Sequence, residues 1–180
     1  MKNQEVALKI QDSPIVRFAT DSDFPLLPPI EAEADGMFRQ AGIILPPGQM
    51  SVEELRACEV VFVIGEPIAG FLCLDVLDGQ AHLAQIAVRP GCTGQGLGTV
   101  LIAAAIVWAK ERGYPAMTLT TYRDVPWNGP YYARRGFLEL GDSELGPGLF
   151  AARVQERELG LDELGPRIAM RLPLRCASSG

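Results

Sequence analysis

The run Arg89-Pro90-Gly91-Cys92-Thr93-Gly94-Gln95-Gly96-Leu97-Gly98-Thr99 restricts the fold more than any other part of the chain. Four glycines fall within eight residues, so the backbone can turn through conformations closed to other residues and approach a ligand closely. The mostly apolar stretch 83–88 leads in as a strand, and the apolar stretch 97–112 leads out as a helix. First-turn amides of a helix have no internal partners and stand at the positive end of its dipole. A strand, a glycine loop and a helix in that order therefore suit a diphosphate. Two common nucleotide loops are disfavoured. The G-x-G-x-x-G pattern begun at Gly94 ends on Thr99, and begun at Gly91 it fails at Thr93. No Gly-Lys pair exists for a P-loop.

The surroundings of the loop read as one domain, with ends 1–12 and 177–180 expected to be flexible. With 180 residues, 48% of them hydrophobic, the chain can bury a sizeable core. A net charge of -6 argues against nucleic acid or an anionic membrane as partner. The cysteines, Cys58, Cys73, Cys92 and Cys176, form no C-x-x-C pair, and His82 is the single histidine. That pattern disfavours a metal site and fits a reducing compartment. The N-terminus lacks the apolar core of a signal peptide, and the longest apolar run, 100–109, is too short to cross a bilayer. A cytoplasmic location is the expectation.

Periodicity and punctuation place the elements. Strands are predicted at 15–19, 60–64, 71–77, 83–88, 117–122, 137–140 and 168–174, the second to fourth forming an antiparallel meander. Helices are predicted at 26–41, from Ser51 onward with Glu54 completing a capping box, at 97–112, at 128–135 and at 149–159. Gly113 stops the long helix, and Lys110 and Arg112 complement its dipole. The sum is a mixed α/β domain around one sheet.

Two motifs carry a resemblance. Thr93-Gly94-Gln95-Gly96-Leu97-Gly98 resembles the R/Q-x-x-G-x-G/A signature of the GNAT superfamily of N-acetyltransferases. Tyr132-Ala133-Arg134-Arg135-Gly136-Phe137 resembles that family's Y-x-x-x-G-F element. The resemblance implies a central, mostly antiparallel twisted sheet with helices on both faces, and acetyl-CoA as cosubstrate with no metal. Thr93, Gly94, Gln95, Gly96, Leu97, Gly98 and Thr99 would hold the pyrophosphate. Ile86, Ala87 and Val88 would pair with the pantetheine arm, one of their N–H groups holding the thioester carbonyl. Thr93 stands where the family usually has Arg or Gln, so it brings a hydroxyl but no charge, and binding would lean on backbone amides. Val125 stands where the family often has Asn, which makes Asn128 the nearest candidate for a cofactor contact. A helix N-cap is the other reading of Asn128.

Amide formation needs a neutral amine. An amine of pKa about 10.4 costs roughly 4–5 kcal/mol to neutralise at pH 7, so a base is required. The departing thiolate needs a proton donor, and by resemblance Tyr132 is that acid, with Tyr131 as packing. His82 stands where one branch of the family has its base, and its ordinary pKa suits the task. Alternation along the strand puts His82, Ile86 and Val88 on one face unless a bulge intervenes. A plain strand histidine is the competing reading. Glu31 and Glu33 on the first helix are the other bases to consider. That helix and the following loop, 42–50, form the expected acceptor wall, with Asp35 near it and Tyr122 and Trp127 as candidate lining. The acceptor would be an amine of a small molecule or peptide, and a homodimer is compatible with the resemblance. Three alternatives stay open: a non-catalytic acyl-CoA sensor or interaction module, transfer of a longer acyl chain, and a nucleotide-dependent enzyme.

Overall fold

The computed structural model describes residues 14–174, and the expected flexible ends and Cys176 lie outside them. Seven strands form one sheet: β1 (Val16–Phe18), β2 (Val60–Ile64), β3 (Gly70–Leu77), β4 (Gln80–Val88), β5 (Ala116–Tyr122), β6 (Leu138–Leu140) and β7 (Arg167–Pro173). Their order is β1-β2-β3-β4-β5-β7-β6. Only β4 and β5 are parallel; the other neighbours are antiparallel. The mixed α/β fold with a mostly antiparallel sheet is thus the one expected.

Period-two alternation sorts the strands' side chains onto two faces. Phe62, Leu72, Leu74 and Leu83 form one core with Leu101, Ile102 and Ala105 of α3 (Leu97–Glu111). Each fully buried leucine there contributes about 2 kcal/mol. Val61, Val63, Phe71 and Cys73 face the other way, onto Leu27 and Ile30 of α1 (Leu27–Asp35) and Leu55 of α2 (Val52–Ala57). The predicted capping box opens α2: Glu54 N–H donates to Ser51 Oγ, and Ser51 N–H donates to Glu54 Oε2. α4 (Gly129–Ala133) joins the α3 face through Tyr132. α5 (Pro147–Glu158) lies across β5 and β7, held by Arg153, Glu156 and Arg167. No helix of the described residues is long and apolar enough to cross a membrane.

The first helix departs from the predicted 26–41. Pro28 and Pro29 sit inside its first turn, where missing N–H groups cost nothing. The α-helix stops at Asp35, and a 3-10 turn, Gly36–Ala41, continues to Gly42 at φ 74°. Gly36 weakens the helix at that point. The altered path brings Phe38 against Tyr122 and Trp127, with ring centroids 5.9 Å apart in both cases.

Candidate active site

The sheet forks. β4 and β5 pair only at Ala81 with Met117 and His82 with Thr118. Beyond that rung β5 continues beside β7 to Tyr122, while β4 continues beside β3 to Val88. The paired end is tied a second time. Asp78, in the turn between β3 and β4, accepts the N–H groups of Gly148 (2.7 Å) and Leu149 (3.0 Å) at the start of α5. The other end stays open.

A bulge sharpens the fork. Cys73 faces Gln85 and Leu74 faces Leu83, so Ala84 is one residue too many on β4. The extra residue reverses the alternation. Leu83, Ile86 and Val88 belong to the α3 core, whereas His82 turns to the opposite face. The expectation that His82 shares a face with Ile86 and Val88 is therefore corrected. The bulge also sets the free edge. Arg89 N–H donates to Ala69 O on the β3 side at 2.8 Å. By alternation, Ala87 points its backbone groups to β3, and Ile86 and Val88 point theirs into the fork.

The glycine loop lies beyond the end of β4. Gly94 and Gly96 both have φ 77°, a region that favours glycine, and Gly96 is the N-cap of α3. The first intrahelical bond is made by Val100 N–H to Gly96 O, so the N–H groups of Leu97, Gly98 and Thr99 have no helical partner. Leu97 itself is buried in the α3 core and offers only its backbone, and Gln95 is exposed. Thr93 differs from expectation: its hydroxyl donates to Pro90 O at 2.8 Å and so is already used. Cys92, in the same loop, packs against the α3 core.

Charge reaches the loop from the turn that follows α4. Arg135 donates to Tyr131 O (3.0 Å) and to Thr99 Oγ1, and its guanidinium stands 3.4 Å from the Tyr131 ring centroid. Its Nε is buried without a hydrogen-bond partner among the described residues. Tyr131 OH lies 3.3 Å from Thr99 Oγ1, and a Cβ on Gly98 would come within 3.1 Å of that hydroxyl. Tyr131 is thus part of the loop's wall and not merely core. Tyr132 is buried beside Phe137, and burial pushes its phenol pKa up. Asn128 is at the N-cap position of α4, but its side chain caps no amide. Gly129 must be glycine, since a Cβ would lie 2.3 Å from Arg123 O.

Two titratable groups flank the fork on the α1 face. His82 is buried with Nδ1 2.9 Å from Thr118 Oγ1, across the last paired rung, and burial lowers its pKa. Glu31 of α1 is 4% exposed. Its Oε2 accepts Met50 N–H at 3.0 Å, and its Oε1 accepts Gln85 Nε2 at 2.7 Å. Burial raises its pKa, those two bonds oppose the rise, and Asp35 and Glu54 add to it. Gln85 Oε1 in turn accepts Ile86 N–H at 2.9 Å. Glu33 is paired with Arg89 at the surface. Asp35 accepts from Gln49 at 3.2 Å.

A family model described as acetyltransferase (GNAT) family matches residues 28–137, more than half of the chain. The chain belongs to the GNAT family of acetyltransferases. Solved structures agree in fold. The ribosomal-protein-S18-alanine N-acetyltransferase of Escherichia coli superposes with a TM-score of 0.66 at 20% identity, over 93% of this chain and 98% of that one. The PaiA N-acetyltransferase of Thermoplasma acidophilum, in complex with coenzyme A, gives 0.64 at 16%, over 89% and 99%. N-acetylglutamate synthase of Neisseria gonorrhoeae, complexed with coenzyme A and N-acetyl-glutamate, gives 0.66 at 21%. There the match covers 91% of this chain and only 35% of the synthase, so this chain spans about a third of that protein.

Within this GNAT fold the expected acceptor wall is partly aromatic. Ile43, Tyr122 and Val125 form a small core with Phe38, Trp127 and Leu164, and an open cavity lies beside it. Tyr122 is fixed there: its hydroxyl donates to Leu161 O at 3.3 Å and Arg167 stacks on its ring. Two neighbours of the site, Arg135 and Gln85, are not among the residues singled out from sequence, and the bulge allowed for there falls at Ala84. The signal for Arg135 was present, one position before Gly136 in the second motif. Its meeting with Thr99, 36 residues away, needed the fold.

Proposed function

We propose that this protein transfers an acetyl group from acetyl-CoA to an amine of a small molecule or peptide. The observation that carries the proposal is the fork, where the free backbone edge of β4 runs into the unpaired amides of α3. The residues present fit such a donor. Val88 offers a strand-like edge to an extended amide chain, and Ile86 N–H is oriented to hold a carbonyl oxygen. The N–H groups of Leu97, Gly98 and Thr99 suit a pyrophosphate. Arg135 replaces the charge that Thr93 lacks. The thioester supplies an activated acetyl group. The chain's own work is to hold it, remove a proton from the amine and protonate the departing sulfur.

We assign the proton-accepting role to Glu31. It is two hydrogen bonds from Ile86 N–H, and burial raises its pKa towards the range a base needs at neutral pH. His82 serves better as a tie at the rung where the fork begins. Tyr132 keeps the proton-donor role on its place in the second motif; burial raises its pKa, which keeps the phenol protonated and also makes it a weaker acid. The test is free-thiol release from acetyl-CoA with polyamines, lysine-tailed peptides, peptide N-termini and aminoglycosides, against a control without amine. Amine-dependent release is expected with one class. Tight acetyl-CoA binding with no release across the panel would favour the sensor reading.

A further inference from the structure

Gln85 bridges the two halves of the reaction. Its side-chain carbonyl accepts the one N–H that points into the fork beside the bulge, that of Ile86, and its amide nitrogen donates to Glu31. The orientation of the amide follows from its neighbours, because only a carbonyl oxygen can accept from Ile86 and only an NH2 can donate to a carboxylate. A single N–H cannot hold two oxygens at full strength. Any carbonyl bound by Ile86 N–H must therefore displace Gln85 Oε1. The amide is planar, so a swing of the side chain that clears Ile86 N–H carries the nitrogen with the oxygen and takes the donor from Glu31 Oε1. Glu31 Oε2 keeps Met50 N–H.

We infer that Gln85 is a latch: it occupies the thioester-carbonyl position in the free protein and exposes Glu31 to the acceptor only after acyl-CoA has displaced it. The inference rests on the acyl-CoA reading above and adds to it a side chain that couples the carbonyl position to Glu31. Gln85 is a positioning residue in this scheme, acting on Ile86 and Glu31.

Coenzyme A has no thioester carbonyl, so it does not have to displace the latch. The ratio of its dissociation constant to that of acetyl-CoA isolates the effect. In Gln85→Ala the ratio should rise about three- to tenfold, the worth of one neutral hydrogen bond no longer competed for. Glu31→Ala, which removes the amide's anchor, should raise it less. The double variant should match Gln85→Ala alone, since the two residues act through one amide. Gln85→Met keeps the side chain's length and replaces the alanine variant if that does not fold; coenzyme A bound at wild-type affinity certifies each fold. A ratio unchanged or lowered in Gln85→Ala, or additive effects in the double variant, overturns the latch. Failure of the wild-type protein to bind either compound would instead overturn the acyl-CoA reading on which it rests.

Discussion

As the proposed base, Glu31 is the residue on which chemistry and stability would pull in opposite directions. A buried carboxyl whose pKa is raised on folding binds its proton more tightly in the folded state. Its contribution to stability therefore falls as pH rises from the ordinary carboxylate range through the folded-state value. Glu31→Gln should lose activity by about 10²–10⁴-fold, the usual worth of a general base. It should also remove the acid limb of the kcat/KM profile and make the protein more stable than wild type above that limb. His82→Ala should keep the limb. Retention of the limb in Glu31→Gln and its loss in His82→Ala would move the base to His82. From sequence, His82 is the named candidate base because one branch of the family has its base at that position, with a plain strand histidine as the competing reading. The extra residue at Ala84 leaves no mark in composition or periodicity, yet it decides which face His82 takes.

At the scale of elements, the end of β4, the loop and α3 are readable almost to the residue, whereas β4 begins at Gln80, three residues before the predicted 83. The glycines at 94 and 96 are demanded by backbone conformation, which sequence registers directly. The partnership of α3 with α4 was not readable, since it depends on how two helices approach in space. Thr93 looked like a phosphate ligand by position, but its hydroxyl closes a turn on Pro90. Arg135 reaches Thr99 at the start of α3 and is the cation we propose for the pyrophosphate. Replacing it with alanine should raise the KM for acetyl-CoA about tenfold or more, the worth of a charge-assisted hydrogen bond, and leave kcat nearly unchanged. An equal fall in kcat with KM constant would place Arg135 near the reacting atoms instead. Tyr131 then explains why Gly98 has no side chain: the ring that carries Arg135 rests on it.

The whole molecule is a sheet fastened at one end and open at the other. The last β4–β5 rung, the His82–Thr118 bond and the Asp78 cap on α5 close the lower end. Nothing in the strand sequences marks where the two halves part, because the bulge that redirects β4 just past the last rung is one extra residue, Ala84, in an otherwise mostly apolar strand. The family resemblance implies a ligand along β4; there the backbone of Ile86 and Val88 turns away from β3, and Ile86 N–H is donated to Gln85 Oε1. Hydrogen exchange with and without acetyl-CoA tests this directly. The account predicts slowed exchange at Val88 and at Leu97, Gly98 and Thr99, little change in β1 and β2, and no such protection from ATP or NAD. Acetyl-CoA binding that leaves these amides exchanging as before, or that protects another part of the sheet, would contradict it.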